Sequence, residues 1–597
     1  MKNSLSPHQF HIPVMGIAYT IDTPAKVAHY GINSSISIIE DHLIEKMRAY
    51  YYKLNHQEYT PITKDTVNFR AKRITDYLNL IGAEVKKKVE EVKTAAFTST
   101  SEITKYFDLL PEVSELKQKY LHFLNLEESS SAKETLEAQL RNEVKAGAIE
   151  VNIMTKVDRE QLDENKEPIE NGSDALQALK GYAESNLENS TLVFSAGMNP
   201  RLFNYLSSFD SFQPDNNGNF KKAIAIKVSD YRSALIQGKY LAKRGIWVSE
   251  FRIESGLNCG GHAFATDGFL LGPIMEEFKQ KKEELSAELA SLYRNSLAEE
   301  IEITELPEIK ITVQGGIGTF DEDNLLKGYY EADATGWGSP FLLCPEATQV
   351  DEQTLGKLQK AKEKDIVLSH SSPLGVRFNY LKGASGEEFR RKNLLRNRPG
   401  SSCPEKLLQS NTEFTTEPIC TASHKYQKLK MQQIQHSDLP EEAKAKEIDL
   451  LIQKECLCTG LCNSVAKNYD FQFVKKMDFV TVCPGPNLAY FNDKYSLKEL
   501  IDHIYGRKNV LSGYRPHMFI KELQLYINHL RELLDSTDFS NKREAKKFDK
   551  FSQNLEDGIA YYNQLYFEGL ISNKQFSTDL LSCESQIQEI TKQVKAA

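Results

Sequence analysis

Apolar residues along the chain fall into short runs separated by longer stretches of helical period. "AIEVNIM" (Ala148–Met154), "STLVFSAG" (Ser190–Gly197), "KAIAIKVS" (Lys222–Ser229), "GIWVSEFRIES" (Gly245–Ser255), "KITVQGGIG" (Lys310–Gly318) and "ADATGWGSPFLL" (Ala332–Leu343) read as strands. Helical stretches such as Tyr231–Arg244 and Leu270–Ser296 lie between them. The N-terminal "HIPVMGIAYTIDTPAKVAHYGINSSISIIED" adds an apolar strand, a Thr-Pro helix start, a glycine turn and a second strand. Apolar strands alternating with helices specify a parallel sheet, and the count of eight favours a closed (β/α)8 TIM barrel over a doubly wound open sheet. The predicted barrel takes residues 1–42 and 146–369. Residues 43–145 are long, charged and helical in period, and read as an insertion or lid. Residues 370–490 form a cysteine-containing segment, and 491–597 return to amphipathic helix ("ELQLYINHLRELL") suited to assembly with further copies of the chain.

Composition narrows the function classes. The 597 residues are 40% hydrophobic and 26% charged with a net charge of −9, so no basic field invites nucleic acid or an anionic membrane. No apolar run approaches the roughly 20 residues of a membrane span, and no signal core opens the chain, so a cytoplasmic setting is expected. The nine cysteines are odd in number, and six (Cys403, Cys420, Cys456, Cys458, Cys462, Cys483) fall within one C-terminal region. "KECLCTGLCNS", followed by "TVCPGP", makes Cys456, Cys458, Cys462 and Cys483 candidate ligands of an iron–sulfur cluster, with zinc or plain buried thiols as alternatives.

Barrel enzymes bind ligands where strands end. In chain order those ends are Gly16, Asn152, Ser195–Gly197, Lys227, the Asn258–His262 turn, Gly315-Gly316 and Gly336–Ser339. Glycines there allow backbone amides to approach an anion, and two such turns end the last strands, where barrels often hold a phosphate. "RIESGLNCGGHAFATDG" carries Cys259, Gly260, Gly261 and His262 together. His262 suits proton transfer near neutral pH, and Cys259 could be a redox-active or substrate-facing thiol activated by it or by a helix N-terminus.

Six of these segments, in order, resemble the nitronate monooxygenase and FMN-dependent enoyl reductase II family of flavin barrels. They are "IPVMGIAYTIDTPAKVAHYGINSSISII", "VNIM", "VFSAGMNP", "LNCGGHAF", "VQGGIGT" and "GWGSPFLLCPEA", covering about half the chain. The resemblance implies FMN at the barrel mouth. Gly315, Gly316, Gly338 and Ser339 would hold its phosphate, while Gly16, Asn152 and Gly197 would flank the isoalloxazine. His262 would be the general acid/base. Lys227, at a strand end, would place a cation near the negative charge of reduced flavin; a lysine snorkelling at the barrel rim is the plainer alternative. Glu254 stands with Lys227, both behind His262. Asn258-Cys259 replaces the family's Glu-Ala, and Met15 and Ala18 replace more glycine-rich positions, changes that bear on the substrate. The expected activity is an oxidoreductase, monooxygenase or ene-reductase in type, on a small organic substrate, with NAD(P)H or a redox protein as electron donor. A non-catalytic barrel scaffold with a zinc-stapled tail is the competing expectation, and a sugar-phosphate enzyme without redox chemistry is a third.

Overall fold

The structure, a computed structural model, describes residues 6–127, 130–215, 220–262, 267–297, 305–402 and 404–596; of His262 it describes the backbone alone. Eight parallel strands close on themselves: β1 (Phe10–Ile12), β2 (Asn33–Ser37), β3 (Ile149–Ile153), β4 (Ser190–Phe194), β5 (Lys222–Val228), β6 (Glu250–Glu254), β8 (Lys310–Gln314) and β9 (Ala334–Gly336). β9 pairs with β1 through Phe10 and His11, which completes the (β/α)8 barrel expected from the alternation. A second sheet of three antiparallel strands joins β7 (Gly261–His262), β10 (Ile366–Ser369) and β11 (Arg377–Leu381). Among the described residues no helix is long and apolar enough to cross a membrane.

The barrel strands are two-faced. In β3, Ile149, Val151 and Ile153 belong to the apolar core that packs the helical ring, each such side chain contributing about 1.5–3 kcal/mol on burial. Glu150, between them, meets Arg252 of β6. Strands β3 and β6 are separated by β4 and β5, so this contact crosses the barrel interior. The period of two therefore points Glu150 and Asn152, Glu250, Arg252 and Glu254, Thr312 and Gln314, and Ser35 and Ser37 inward. TIM barrels usually fill this space with branched apolar residues; here it is polar.

The helices of the 43–145 region join the outer ring. Phe69–Thr94 packs between the Thr23–Val27 and Asp174–Ala183 helices, and Lys88 donates to the Ala25 carbonyl at 2.7 Å. The side chains that reach the C-terminal mouth of the barrel come from residues 456–487 and from the small sheet. Leu461 lies against Gly16, the Cys483 carbonyl accepts from the Gly260 amide at 3.2 Å, and Asn379 donates to the Asn258 carbonyl at 2.7 Å. The C-terminal helices wrap the chain's own barrel: Glu522 of Met518–Ser536 accepts from the amides of Gly256 (3.3 Å) and Leu271 (2.7 Å), the two ends of the loop that bears Cys259.

Candidate functional site

Two layers fill the barrel interior. In the lower one, Arg252 donates both terminal nitrogens to Glu150 (2.7 and 2.9 Å) and its Nε to Glu250 (2.7 Å). Ser35 completes Glu150 at 2.6 Å and Thr312 completes Glu250. Burial alone would raise the Glu150 carboxyl; the adjoining guanidinium overcomes it and holds the group down to about 2. His11 above them is pushed down to about 4 by burial and then by Arg252, so its ring is neutral. It contacts the Gln314 carboxamide oxygen at 3.3 Å. The layer is saturated: each buried charge has opposite charge and hydrogen bonds, as such groups require.

The upper layer, at the C-terminal strand ends, differs. Glu254 Oε1 gathers Lys227 (3.3 Å), Gln314 (2.8 Å) and Asn258 (2.6 Å). Across the mouth, Asn152 Oδ1 and Ser37 Oγ, on paired positions of β3 and β2, are buried with no hydrogen-bond partner among the described residues. Buried polar atoms are seldom left so, and a pair of them side by side marks a place for a ligand.

The predicted glycine turns are at the same end. Gly315 and Gly316 have φ of +105° and +82°, which glycine alone adopts readily. A Cβ on Gly316 would lie 2.5 Å from Leu257, and one on Gly315 2.7 Å from Ser255 Oγ, so this turn packs tightly on the β6 loop. Ser339 Oγ accepts from the Gly485 amide at 3.0 Å and touches Cys259 Sγ at 3.3 Å, while a Cβ on Gly338 would come 3.1 Å from that sulfur. Gly16 (φ +58°) abuts Tyr19 and Leu461, and Gly197 (φ +118°) abuts Lys156. The structure thus groups Cys259 with Gly338 and Ser339, and Lys227 with Glu254, while Asn152 faces them from the far strands.

No family model and no curated protein matches the sequence. Among solved structures, the chain is similar to FabK from Thermotoga maritima (13% identity, 67% of this chain and 82% of that one, TM-score 0.31). It is also similar to the enoyl reductase domain of MlnA from the macrolactin biosynthesis cluster of Bacillus amyloliquefaciens (14%, 68% and 89%, 0.33). A third is nitroalkane oxidase from Streptomyces ansochromogenes (10%, 84% and 96%, 0.33). The architecture stands on the eight-strand closure itself.

Several expectations change against this geometry. Burial raises the Cys259 thiol, and although the Ser339 hydroxyl and the Gly485 amide oppose that shift, its direction is away from an activated thiolate. The proposed quartet Cys456, Cys458, Cys462 and Cys483 does not converge on a centre. Among the described residues no three His, Cys, Asp or Glu side chains are placed to hold a metal ion. Cys456 packs with Met477 and Phe479, and Cys458, Cys462 and Cys483 belong to the main apolar core. Burial pushes the Cys462 and Cys483 thiols up. Cys403 lies outside the described residues, as does the side chain of His262, whose backbone leaves the barrel to pair with Arg377. Sequence reading named Lys227 and Glu254 but missed Glu150, Glu250 and Arg252. The alternation in "IEVNI", "EFRIE" and "ITVQ" was the available signal, since single polar residues between apolar ones mark a strand with two different faces.

Proposed function

We propose that this chain is an FMN-dependent oxidoreductase acting on a small organic substrate at the C-terminal mouth of its barrel. The observation that carries the reading is Asn152 Oδ1, which has no partner among the described residues, with Ser37 Oγ beside it, in an interior whose other layer is satisfied. The residues fit the group: the flavin has a polar edge able to hydrogen-bond such atoms, and the mouth also offers glycine turns for a phosphate. Gly315, Gly316, Gly338 and Ser339 would hold the phosphate, with the Ser339 hydroxyl proton free to turn toward an acceptor while its oxygen receives Gly485 N–H. Asn152, Gly16 and Gly197 would flank the ring system. When bound, the flavin supplies the hydride or electron transfer.

The chain's own groups position and shield. Glu254 fixes the Lys227 ammonium at the mouth, where a cation favours negative charge on a bound group. Residues 456–487 and the small sheet exclude water from one side. His262 would hold or deliver the proton, as monooxygenase or ene-reductase chemistry needs, and NAD(P)H or a redox protein would supply electrons. The test is the absorption spectrum of the purified full-length chain, with the released cofactor identified after heat denaturation. FMN in near-stoichiometric amount supports the reading; a colourless protein that takes up no added FMN refutes it. His262→Ala retaining full turnover on an identified substrate would remove the acid/base role.

A further inference from the structure

The turn Gly315–Gly318 is held in an unusual way. Four consecutive carbonyls each accept from a different side chain. Ser255 Oγ donates to Gly315 O at 2.8 Å, Arg515 to Gly316 O, Asn487 Nδ2 to Ile317 O at 2.7 Å, and His503 Nε2 to Gly318 O at 2.9 Å. Nε2 donates because its partner, the Gly318 carbonyl, can only accept, while Nδ1 lies 3.3 Å from the Lys508 carbonyl and 3.4 Å from the Val510 amide. Three of the four donors belong to the C-terminal region, far outside the barrel in sequence. They are themselves locked: Arg515 Nε donates to Asn487 Oδ1 (2.6 Å) and Nη1 to Glu322 (2.6 Å), and all four residues are at most 8% exposed.

In a trans peptide the C=O of one residue and the N–H of the next point in opposite directions. Pinning the carbonyls of residues 315–318 therefore turns the N–H groups of residues 316–319 away from the side chains that hold them. One of these amides, Gly318, is used by Glu322 Oε2 at 2.8 Å. The N–H groups of Gly316, Ile317 and Thr319 have no acceptor among the described residues. Ile317 is only 2% exposed, and buried amides without an acceptor are rare. Consecutive amides left open in such a turn form a nest for an anion. The Arg515 charge is matched by the Glu322 carboxylate, so the guanidinium acts on the turn's orientation rather than as the anion's counter-charge.

We propose that Asn487, His503 and Arg515 are positioning residues that hold the Gly315–Thr319 amides open for a phosphate, and thereby set the chain's preference for a phosphorylated over an unphosphorylated flavin. This rests on the flavin reading above and adds to it which residues select the phosphate. The test is fluorescence-quenching titration of the full-length, flavin-free protein with FMN and, separately, with riboflavin. Because Arg515 closes a buried ion pair, the variants are Asn487→Leu, His503→Leu and His503→Gln, each checked for a wild-type circular-dichroism spectrum.

The wild type is expected to prefer FMN over riboflavin. In Asn487→Leu and His503→Leu the FMN Kd should rise about tenfold with riboflavin binding unchanged, as loss of one well-placed hydrogen bond would give. His503→Gln, which keeps a donor, should restore part of the preference. An FMN preference that survives in both Leu variants overturns the proposal and leaves the flavin reading standing. Equal weakening of both ligands also overturns it, since that is a general structural effect. A wild type that binds neither flavin overturns the reading and the proposal together.

Discussion

The two layers of the barrel interior contain similar residues, yet one is chemically closed and the other is open. Below, Glu150, Arg252, Glu250, Ser35 and Thr312 satisfy one another. Above, Asn152 and Ser37 leave atoms without a partner among the described residues, while Lys227, Gln314 and Asn258 crowd one oxygen of Glu254. Burying charges costs several kcal/mol per ion, so the lower layer exists only because it is complete. The upper layer tolerates incompleteness because it lies where strands end and a ligand can supply the missing partners. Polarity inside a barrel is thus not by itself a sign of function; unsatisfied polarity at the mouth is.

The comparison can be broken most violently from below. Arg252→Met leaves two buried carboxylates facing each other without a cation, and should cost about 3–5 kcal/mol in urea unfolding. A loss below about 1 kcal/mol would mean the layer is not closed as described. The same layer predicts a pH response. The Glu150 carboxyl is lower in the folded chain than in the unfolded one, so its stabilisation is full above the unfolded value of 4.5 and is lost as pH falls from there toward about 2. On the order of 2–3 kcal/mol should disappear across that window, and Glu150→Gln should flatten this part of the stability–pH curve.

The upper layer should behave in the opposite manner. Asn152→Leu removes a buried, unpaired polar atom, so stability should stay within about 1 kcal/mol of wild type while FMN uptake falls sharply. If this variant unfolds as readily as Arg252→Met, Asn152 is structural and the contrast between layers fails. The smallest effect is expected for Lys227→Gln. Its ion pair is one of three contacts on a half-buried carboxylate, so stability should change by less than about 1 kcal/mol.

The barrel itself was legible, because strands buried against helices read as apolar runs and eight of them follow in order. Its polar interior showed only as alternation within β3, β6 and β8, which names no partner. Glu150 and Arg252 explain each other only across a closed cylinder, and nothing local to either strand announces the partner. The glycines at 315 and 316 were legible as a turn at a strand end. Their tight packing on Leu257 was not, and it makes Gly316→Asp a poor test of phosphate binding, since any side chain there meets both a positive φ and a 2.5 Å contact. The cysteine clustering was visible; the fold buries Cys420, Cys456, Cys458, Cys462 and Cys483 among apolar neighbours, and among the described residues it brings no three metal-ligating side chains together. The Gly-Gly-His stretch read as a barrel turn; Gly260 keeps a positive φ there, and Gly261–His262 pair as a short strand with Arg377–Phe378, which return from much later in the chain.

The open layer at the mouth is proposed as a flavin site. Its most direct test is titration of flavin-free wild type and Asn152→Leu with FMN, followed by the flavin absorption band. The account predicts saturable binding by the wild type, with a perturbed band, and binding at least about tenfold weaker in a folded variant. Wild type that leaves the FMN spectrum unchanged, or a variant that binds as tightly, would contradict it.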